Sequence, residues 1–166
     1  MKDKISLRGI LGSDADVLFP FIFNSTLTDT IMWDGPTDLN EYRSGLALRE
    51  RQHANSEIHM FTIVGEKIGP IGCIDIRPEN DFRANMGLWI ASQFHGQGYG
   101  AEAVRLITEY GFNKLGLQKI NAMIFVGNFA SRKIFEKNGF LLEGTIRHAA
   151  KKRGKLIDEW SMGKIK

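Results

Sequence analysis

The feature that most constrains this sequence is a glycine-spaced turn between a strand-like segment and a helical segment. Residues 93–100 read Gln-Phe-His-Gly-Gln-Gly-Tyr-Gly; the apolar run 86–90 precedes them, and an amphipathic run begins near Ala101. Glycine lets the backbone curl without a Cβ clash, so successive N–H groups can point inward, and a helix N-terminus adds positive charge there. The turn therefore predicts a site for a phosphate-bearing ligand, although such a string also occurs in simple tight turns.

Two common nucleotide-binding motifs are excluded by the residues around this turn. A P-loop needs Gly-Lys followed by Ser or Thr at the helix start, whereas Tyr99, Gly100 and Ala101 follow Gly98 here. A dinucleotide fold needs an acidic residue at the end of the next strand to bind a ribose hydroxyl. The next strand-like run, residues 119–126, ends without one.

A second motif follows the turn at a characteristic spacing. Residues 93–98 fit the signature Gln/Arg-x-x-Gly-x-Gly/Ala, residues 128–131 read Asn-Phe-Ala-Ser, and residues 135–140 read Phe-Glu-Lys-Asn-Gly-Phe. In these motifs the sequence resembles the GNAT superfamily of acyl-CoA-dependent N-acetyltransferases. Within that superfamily it is most similar to the branch of ribosomal-protein N-terminal (alanine) acetyltransferases, and the resemblance extends from about Ile71 to Asp158.

The resemblance implies a three-layer α/β (α+β) fold. Its central sheet is mixed but mostly antiparallel, has about seven strands splayed between strands 4 and 5, and is flanked by about four helices. The apolar patterning agrees with this order, because residues 58–64, 70–77 and 82–90 read as consecutive strands. We expect residues 1–166 to form a single N-acetyltransferase domain. The remaining predicted strands are 5–10, 119–126, 140–148 and 155–165.

Composition is compatible with this fold and excludes several other classes. A chain of 166 residues with 43% hydrophobic residues can bury a full core. Its net charge of +3 is too small to argue for DNA binding, and its lone Cys73 cannot form an internal disulfide. The longest apolar run, residues 17–23, is far too short to cross a membrane. We therefore expect a soluble, cytoplasmic protein.

The resemblance also implies where acetyl-CoA binds. The pantetheine arm enters the gap between strands 4 and 5 and bonds to the backbone of Leu88, Trp89 and Ile90, and Gly87 is suited to a bulge that opens this gap. The pyrophosphate is expected on the backbone amides of the turn. These amides belong to His95, Gly96, Gln97, Gly98, Tyr99 and Gly100.

Asn128 and Ser131 are the side chains that the resemblance assigns to the cofactor and to catalysis. Asn128 would contact the pantetheine arm, and Ser131 would donate a proton or hydrogen bond to the departing sulfur. Both residues also have an ordinary structural interpretation. Asn128 is a good helix N-cap, and a serine three residues into a helix is common.

The general base is not evident in the sequence. Members of the resembling branch often carry a glutamate two residues before the glycine of strand 4, where this chain has Asn85. The base is then Glu57, His59 or Asp75, or bulk water reached through ordered waters. At pH 7 a protein α-amine with a pKa near ~8 costs about 1 kcal/mol to deprotonate, whereas a lysine-like amine near ~10.4 costs about 4.6 kcal/mol. Loss of the glutamate favours a low-pKa amine.

Two segments of the sequence are candidates for binding the acceptor. By resemblance, Trp33 and Asp34 flank the acceptor cleft, although Trp33 could also pack on the core from a plain turn. The basic turn 151–155 either meets an acidic acceptor or ribosomal RNA, or is a solvated hairpin tip. The four histidines lack metal-ligand spacing, so no metal is expected.

Three functions are consistent with the sequence. The leading one is an acetyl-CoA-dependent N-acetyltransferase that acts by direct attack in a ternary complex on a peptide N-terminus or a small amine. The second is an acyl-CoA-binding sensor with weak or no catalysis, which the absent glutamate keeps open. The third is an RNA- or ribosome-associated module that uses the basic turn. Whether the chain forms a homodimer is left open.

Overall fold

The computed structural model describes residues 3–166, in which seven strands form one sheet in the order β1-β2-β3-β4-β5-β7-β6. In that part of the chain no helix is both long enough and apolar enough to cross a bilayer. The strands are β1 (Ile5–Gly9), β2 (His59–Gly65), β3 (Gly69–Pro78), β4 (Arg83–Ile90), β5 (Lys119–Phe125), β6 (Leu141–Lys152) and β7 (Lys155–Ile165). The α-helices are α1 (Ala15–Ile22), α2 (Leu39–Ala54), α3 (Tyr99–Asn113) and α4 (Phe129–Glu136).

The predicted mixed sheet with a splay in its centre is confirmed. Strands β1 to β4 pair antiparallel in sequence order, and β4 pairs parallel with β5. The parallel pairing runs only from Arg83 opposite Lys119 to Met86 opposite Ala122, although β4 continues to Ile90. A gap therefore opens between the C-terminal halves of the two strands.

The bulge expected at Gly87 is absent. The register between β3 and β4 is continuous from Gly72 opposite Ile90 to Pro78 opposite Ala84, with Gly87 opposite Asp75. The gap arises instead on the other edge of β4, where the pairing with β5 ends.

Alternation along the strands divides the core into two layers. Ile74, Met86 and Ile90 point to the face covered by α3 and α4, whereas Cys73 and Trp89 point to the face covered by α1 and α2. One stretch of β4 thus contributes to both layers. We refer to the second face as the α1/α2 face.

The segment between α1 and α2 lies against the tip of the β6–β7 hairpin. Lys152 is only 7% exposed, and its ammonium group donates to the Trp33 carbonyl at 2.9 Å and pairs with Asp34 at 2.6 Å. Arg153 pairs with Asp29 at 2.6 Å. The interpretation of this turn as a solvated tip is therefore wrong for Lys152, because its charge is used to hold the α1–α2 segment in place.

Candidate active site

The glycine-spaced turn has the backbone conformation that its sequence predicts. Gly96 has φ +74° and Gly98 has φ +80°, both in the left-handed region that side chains disfavour. Gly98 is the N-cap of α3, which begins at Tyr99. The first N–H groups of a helix have no acceptor within it, so this end of α3 offers donors and a positive dipole end to an anion.

Two side chains of the turn bind nearby backbone carbonyl groups and so fix its shape. The His95 ring Nε2 lies 2.7 Å from the Ile90 carbonyl oxygen, which ties the turn to the end of β4. The Gln97 side-chain amide donates to the Gln93 carbonyl at 3.1 Å. Because both side chains are engaged with backbone, we expect His95 and Gln97 to reach a ligand through their main-chain groups.

Tyr99 and Gly100 link the turn to the core. The Tyr99 side chain is buried at 3% exposure within the layer under α3. A Cβ on Gly100 would lie 2.8 Å from Ile134 Cδ1, so this glycine permits α3 to approach α4 closely. Their contribution to a phosphate site is thus limited to the peptide groups at the start of α3.

The ladder between β3 and β4 decides which backbone groups of β4 face the gap. The Ala91 N–H donates to the Ile71 carbonyl at 2.9 Å, and the Gly87 N–H donates to Asp75 Oδ1 at 3.0 Å. Residues on an antiparallel strand direct both backbone groups alternately to one neighbour and to the other. Leu88 and Ile90, which lie between these positions, therefore turn their backbone groups toward the gap.

Trp89 does not share this orientation. By the same alternation its backbone groups point to Cys73 of β3, and its side chain packs in the layer under α1 and α2. Of the three predicted backbone partners of pantetheine, the geometry suits Leu88 and the N–H of Ile90. Trp89 instead offers its indole to the α1/α2 face.

Asn128 and Ser131 lie at the N-terminus of α4, directly beyond the end of β5. Asn128 is the N-cap of this helix, and its Oδ1 accepts from the Ser131 N–H at 3.1 Å. Capping uses only the side-chain oxygen of Asn128. In the described residues, neither the Asn128 Nδ2 group nor the Ser131 hydroxyl has a protein partner, so both remain able to donate to a ligand.

Two of the predicted base candidates lie away from the gap. His59 points to the α3 side of the sheet, where its Nδ1 lies 3.0 Å from the Tyr110 hydroxyl, and burial lowers its pKa. Glu57 is exposed and accepts from the Asn55 side chain at 3.4 Å. On β4, Asn85 donates to the Glu79 carboxylate.

Asp75 is nearer to the gap but already has partners. Burial raises the pKa of its carboxyl group, and Arg77, whose Nε lies 3.5 Å away, opposes that shift. The Gly87 N–H also donates to it. Asp75 thus braces β3 against β4 at the point where the gap begins.

Trp33 and Asp34 cover the α1/α2 face from the segment between the two helices. The Trp33 ring stacks on Tyr42 with ring centroids 5.7 Å apart and remains 39% exposed. A hydrogen bond from Lys152 lowers the pKa of Asp34, whose side chain is 69% exposed. Trp33 therefore packs on the core and still remains partly exposed.

Glu159 is a polar residue near the gap that the sequence analysis did not single out. It lies on β7 opposite Phe125 of β5 and is only 8% exposed. Burial raises the pKa of its carboxyl group. Its position in the strand could have revealed it, because it shares a face of β7 with the apolar Ile157, where a hydrophobic residue is normally found.

Within residues 3–166, no three His, Cys, Asp or Glu side chains are grouped so that they could hold a metal ion. The site is built from backbone donors and two polar side chains at the start of α4. Such a set can bind an anionic, extended molecule along the gap.

Comparison with known proteins identifies similar chains. The profile of the acetyltransferase (GNAT) domain matches residues 4–141. "Uncharacterized N-acetyltransferase p20" of Bacillus licheniformis is 29% identical over 168 residues, which cover 99% of this chain and 94% of that protein. A crystal structure of a "Probable acetyltransferase" superposes with a TM-score of 0.88 at 26% identity, covering 98% of this chain and 93% of the other.

One similar structure contains coenzyme A. RimL, a ribosomal L7/L12 alpha-N-protein acetyltransferase in complex with coenzyme A, superposes with a TM-score of 0.88 and covers 97% of this chain and 93% of its own. At 21% identity this likeness concerns the fold alone.

Proposed function

Because the chain belongs to the GNAT family of acetyltransferases, we propose that it transfers an acetyl group from acetyl-CoA to a primary amine by direct attack in a ternary complex. The observation that carries this proposal is the combination of a β4 edge left unpaired beyond Met86 with a glycine-shaped helix N-terminus at the end of the same strand. The amine is a peptide N-terminus or a small molecule.

The residues present fit acetyl-CoA. The peptide groups from His95 to Gly100 would hold the pyrophosphate at the positive end of α3, where Gly96 and Gly98 allow the backbone to curl. The backbone of Leu88 and the Ile90 N–H would hold the pantetheine arm along the gap. The Asn128 Nδ2 group, free of protein partners in the described chain, would donate to the same arm.

Ser131 supports the departure of sulfur. Its hydroxyl is half-buried at the first turn of α4, above the end of β5, and its own N–H is fixed by Asn128. A thiol has a pKa near ~8.5 in water, so donation by a nearby hydroxyl stabilises the leaving thiolate. The positive end of the α4 backbone would act in the same direction.

The acceptor would enter from the α1/α2 face, between the α1–α2 segment and the sheet. Trp33 and Asp34 lie at its entrance, held by Lys152. A low-pKa amine, such as a protein N-terminus, suits this site best, since no carboxylate stands at Asn85 to lower the cost of deprotonation.

The proposal is tested by the release of coenzyme A from acetyl-CoA with a panel of alanine- and serine-headed peptides, spermidine, glucosamine and L-methionine. We expect amine-dependent release that falls by one to two orders of magnitude in Ser131→Ala, with the acetyl-CoA dissociation constant within about threefold of wild type. Glu136→Gln, on the exposed side of α4, serves as the control and should change neither value.

A second function, an acyl-CoA-binding sensor, is favoured by one observation. Asn85, at the position of the usual base, donates to Glu79 and cannot accept a proton. Tight acetyl-CoA binding without amine-dependent release by the wild-type protein would support this function over the transferase.

A further inference from the structure

The feature that remains unexplained is the buried Glu159 carboxylate on β7. It is 8% exposed, yet no other side chain or backbone group in the described residues donates to it or pairs with it. An ionised carboxylate without a partner in such a place is costly, and proteins normally pair or neutralise it. Glu159 is therefore a candidate for binding a cation supplied from outside the chain.

The strand register places Glu159 beside the gap. It lies directly opposite Phe125 on β5, and Phe125 lies beyond Ala122, where the pairing of β5 with β4 ends. The Val126 N–H also donates to the Asp158 carbonyl at 2.9 Å, which holds β7 against the end of β5. Residues directly opposite each other have Cβ atoms about 4.5–5.5 Å apart, so Glu159 is one strand away from the open edge.

Alternation decides which face the carboxylate occupies. Trp160 and Met162 belong to the layer under α3 and α4. Glu159 and Ser161 therefore point to the α1/α2 face, where the proposed acceptor cleft lies. Lys152 lies opposite Lys155, which is on the same face of β7 as Glu159. Lys152, which binds the α1–α2 segment, therefore lies on this face as well.

Charged groups on the neighbouring strands leave Glu159 without a counterion. Lys152 is engaged by the Trp33 carbonyl and Asp34, and Asp158 accepts from the His148 N–H at 2.7 Å. Arg147 and His148 lie in the exposed part of β6 where the register shifts, and Phe125 on β5 is apolar.

The carboxylate nevertheless retains a path to solvent. Within the described residues, the fully enclosed side-chain atoms without a hydrogen-bond partner belong to Tyr42, Arg83, Thr108 and Asn121. The Glu159 oxygens, which have no protein partner either, are not among them, so they keep some contact with solvent.

We propose that Glu159 is the general base of the transfer: its carboxylate binds the ammonium group of the acceptor and takes its proton. This inference rests on the proposed function and places the base on β7 rather than on β4. An N–H bond of the ammonium breaks, and its proton goes to a Glu159 oxygen. The neutral nitrogen forms the N–C bond to the thioester carbonyl carbon, and the C–S bond breaks.

The second proton transfer, from nitrogen to sulfur, passes through Ser131. Its hydroxyl gives a proton to the departing sulfur, and the second nitrogen proton replaces it. Glu159 then releases its proton to solvent, so that the net products are an amide, the free thiol of coenzyme A and one proton. The acceptor class that follows is a cationic primary amine on a carrier that fits between Trp33 and the sheet.

The test compares kcat/KM for coenzyme A release from pH 5.5 to pH 9 in wild type and in three charge-removing variants, with the same peptide, polyamine, amino-sugar and amino-acid probes. We expect Glu159→Gln to lose about a hundredfold or more of kcat/KM at pH 7 and to lose the acid limb of the profile. Acetyl-CoA affinity should stay within about threefold, and the melting temperature should not fall. Glu159→Asp should restore the acid limb at a reduced rate.

Two matched variants make the assignment specific. Glu143→Gln makes the same chemical change at an exposed glutamate that pairs with Lys119, and should leave kcat/KM unchanged. Asp75→Asn removes the competing carboxylate and should keep the acid limb. The assignment is overturned if Glu159→Gln keeps the wild-type limb or if Asp75→Asn abolishes it. Absence of amine-dependent release by the wild type would overturn the proposed function as well.

Discussion

Two glycine substitutions with opposite backbone conformations test the conformation of the phosphate turn. A Cβ added at Gly96 would meet no atom within 4 Å, so Gly96→Ala costs only the left-handed backbone at φ +74°. That conformation costs a residue with a side chain about 1–2 kcal/mol. Gly45 on α2 likewise has no atom within 4 Å of an added Cβ, but it lies inside a helix. Gly45→Ala should stabilise the protein by about 0.5–1 kcal/mol.

Thermal unfolding measures the change in stability, and titration calorimetry measures the change in acetyl-CoA affinity. At about 2–4 °C per kcal/mol for a chain of this size, Gly96→Ala should lower Tm by about 2–8 °C and Gly45→Ala should raise it by about 1–4 °C. Gly96→Ala should also weaken acetyl-CoA binding, because alanine disfavours the left-handed conformation that directs the peptide groups of the turn to one point, whereas Gly45→Ala should not. Equal Tm shifts in the two variants, or unchanged acetyl-CoA affinity in Gly96→Ala, would contradict a phosphate site shaped by left-handed glycines.

Three further substitutions test other contacts of the fold. Gly72→Ala places a Cβ 2.2 Å from the Trp89 carbonyl oxygen, so it should lower both Tm and acetyl-CoA affinity by forcing β3 from β4, while Gly144→Ala, with no atom within 4 Å, should lower neither. Lys152→Ala releases the α1–α2 segment, so steady-state kinetics should show a severalfold higher acceptor KM with unaltered acetyl-CoA affinity. Because burial lowers the pKa of His59 below its unfolded value, its contribution is present above about pH 6.5 and is lost as pH falls; urea unfolding should show a smaller acid loss in His59→Gln.

Local patterns in the sequence were sufficient for most of the fold. Period-two alternation located the strands, and short-range capping located two helices: the Glu41 N–H donates to Asp38 at 2.9 Å, and Asn128 caps α4. The positive φ angles of the phosphate turn could be predicted, because glycine is the residue that adopts them without strain. The order of the elements followed from the resemblance, and the sheet confirms it.

What could not be predicted depends on contacts between distant residues. The bond from Lys152 to the Trp33 carbonyl joins residues 119 positions apart, and no local pattern distinguishes such a lysine from a solvated one. The orientation of the Trp89 backbone depends on the hydrogen-bonding register with Cys73, which the sequence of β4 does not specify. The burial of Glu159 depends on its pairing with β5 and β6, which are distant in sequence, so the position of Glu159 in β7 shows a polar residue but not that it lacks a partner.

Direct transfer from acetyl-CoA to the amine is tested by following an isotope-labelled acetyl group by mass spectrometry. Labelled acetyl-CoA is incubated with the protein alone and then with the peptide and small-amine probes. Direct attack predicts that an acceptor gains one labelled acetyl group for each coenzyme A released, while the intact mass of the protein stays unchanged in both incubations. Label on the protein in the absence of an amine, or release of coenzyme A without a labelled acceptor, would contradict direct transfer in a ternary complex.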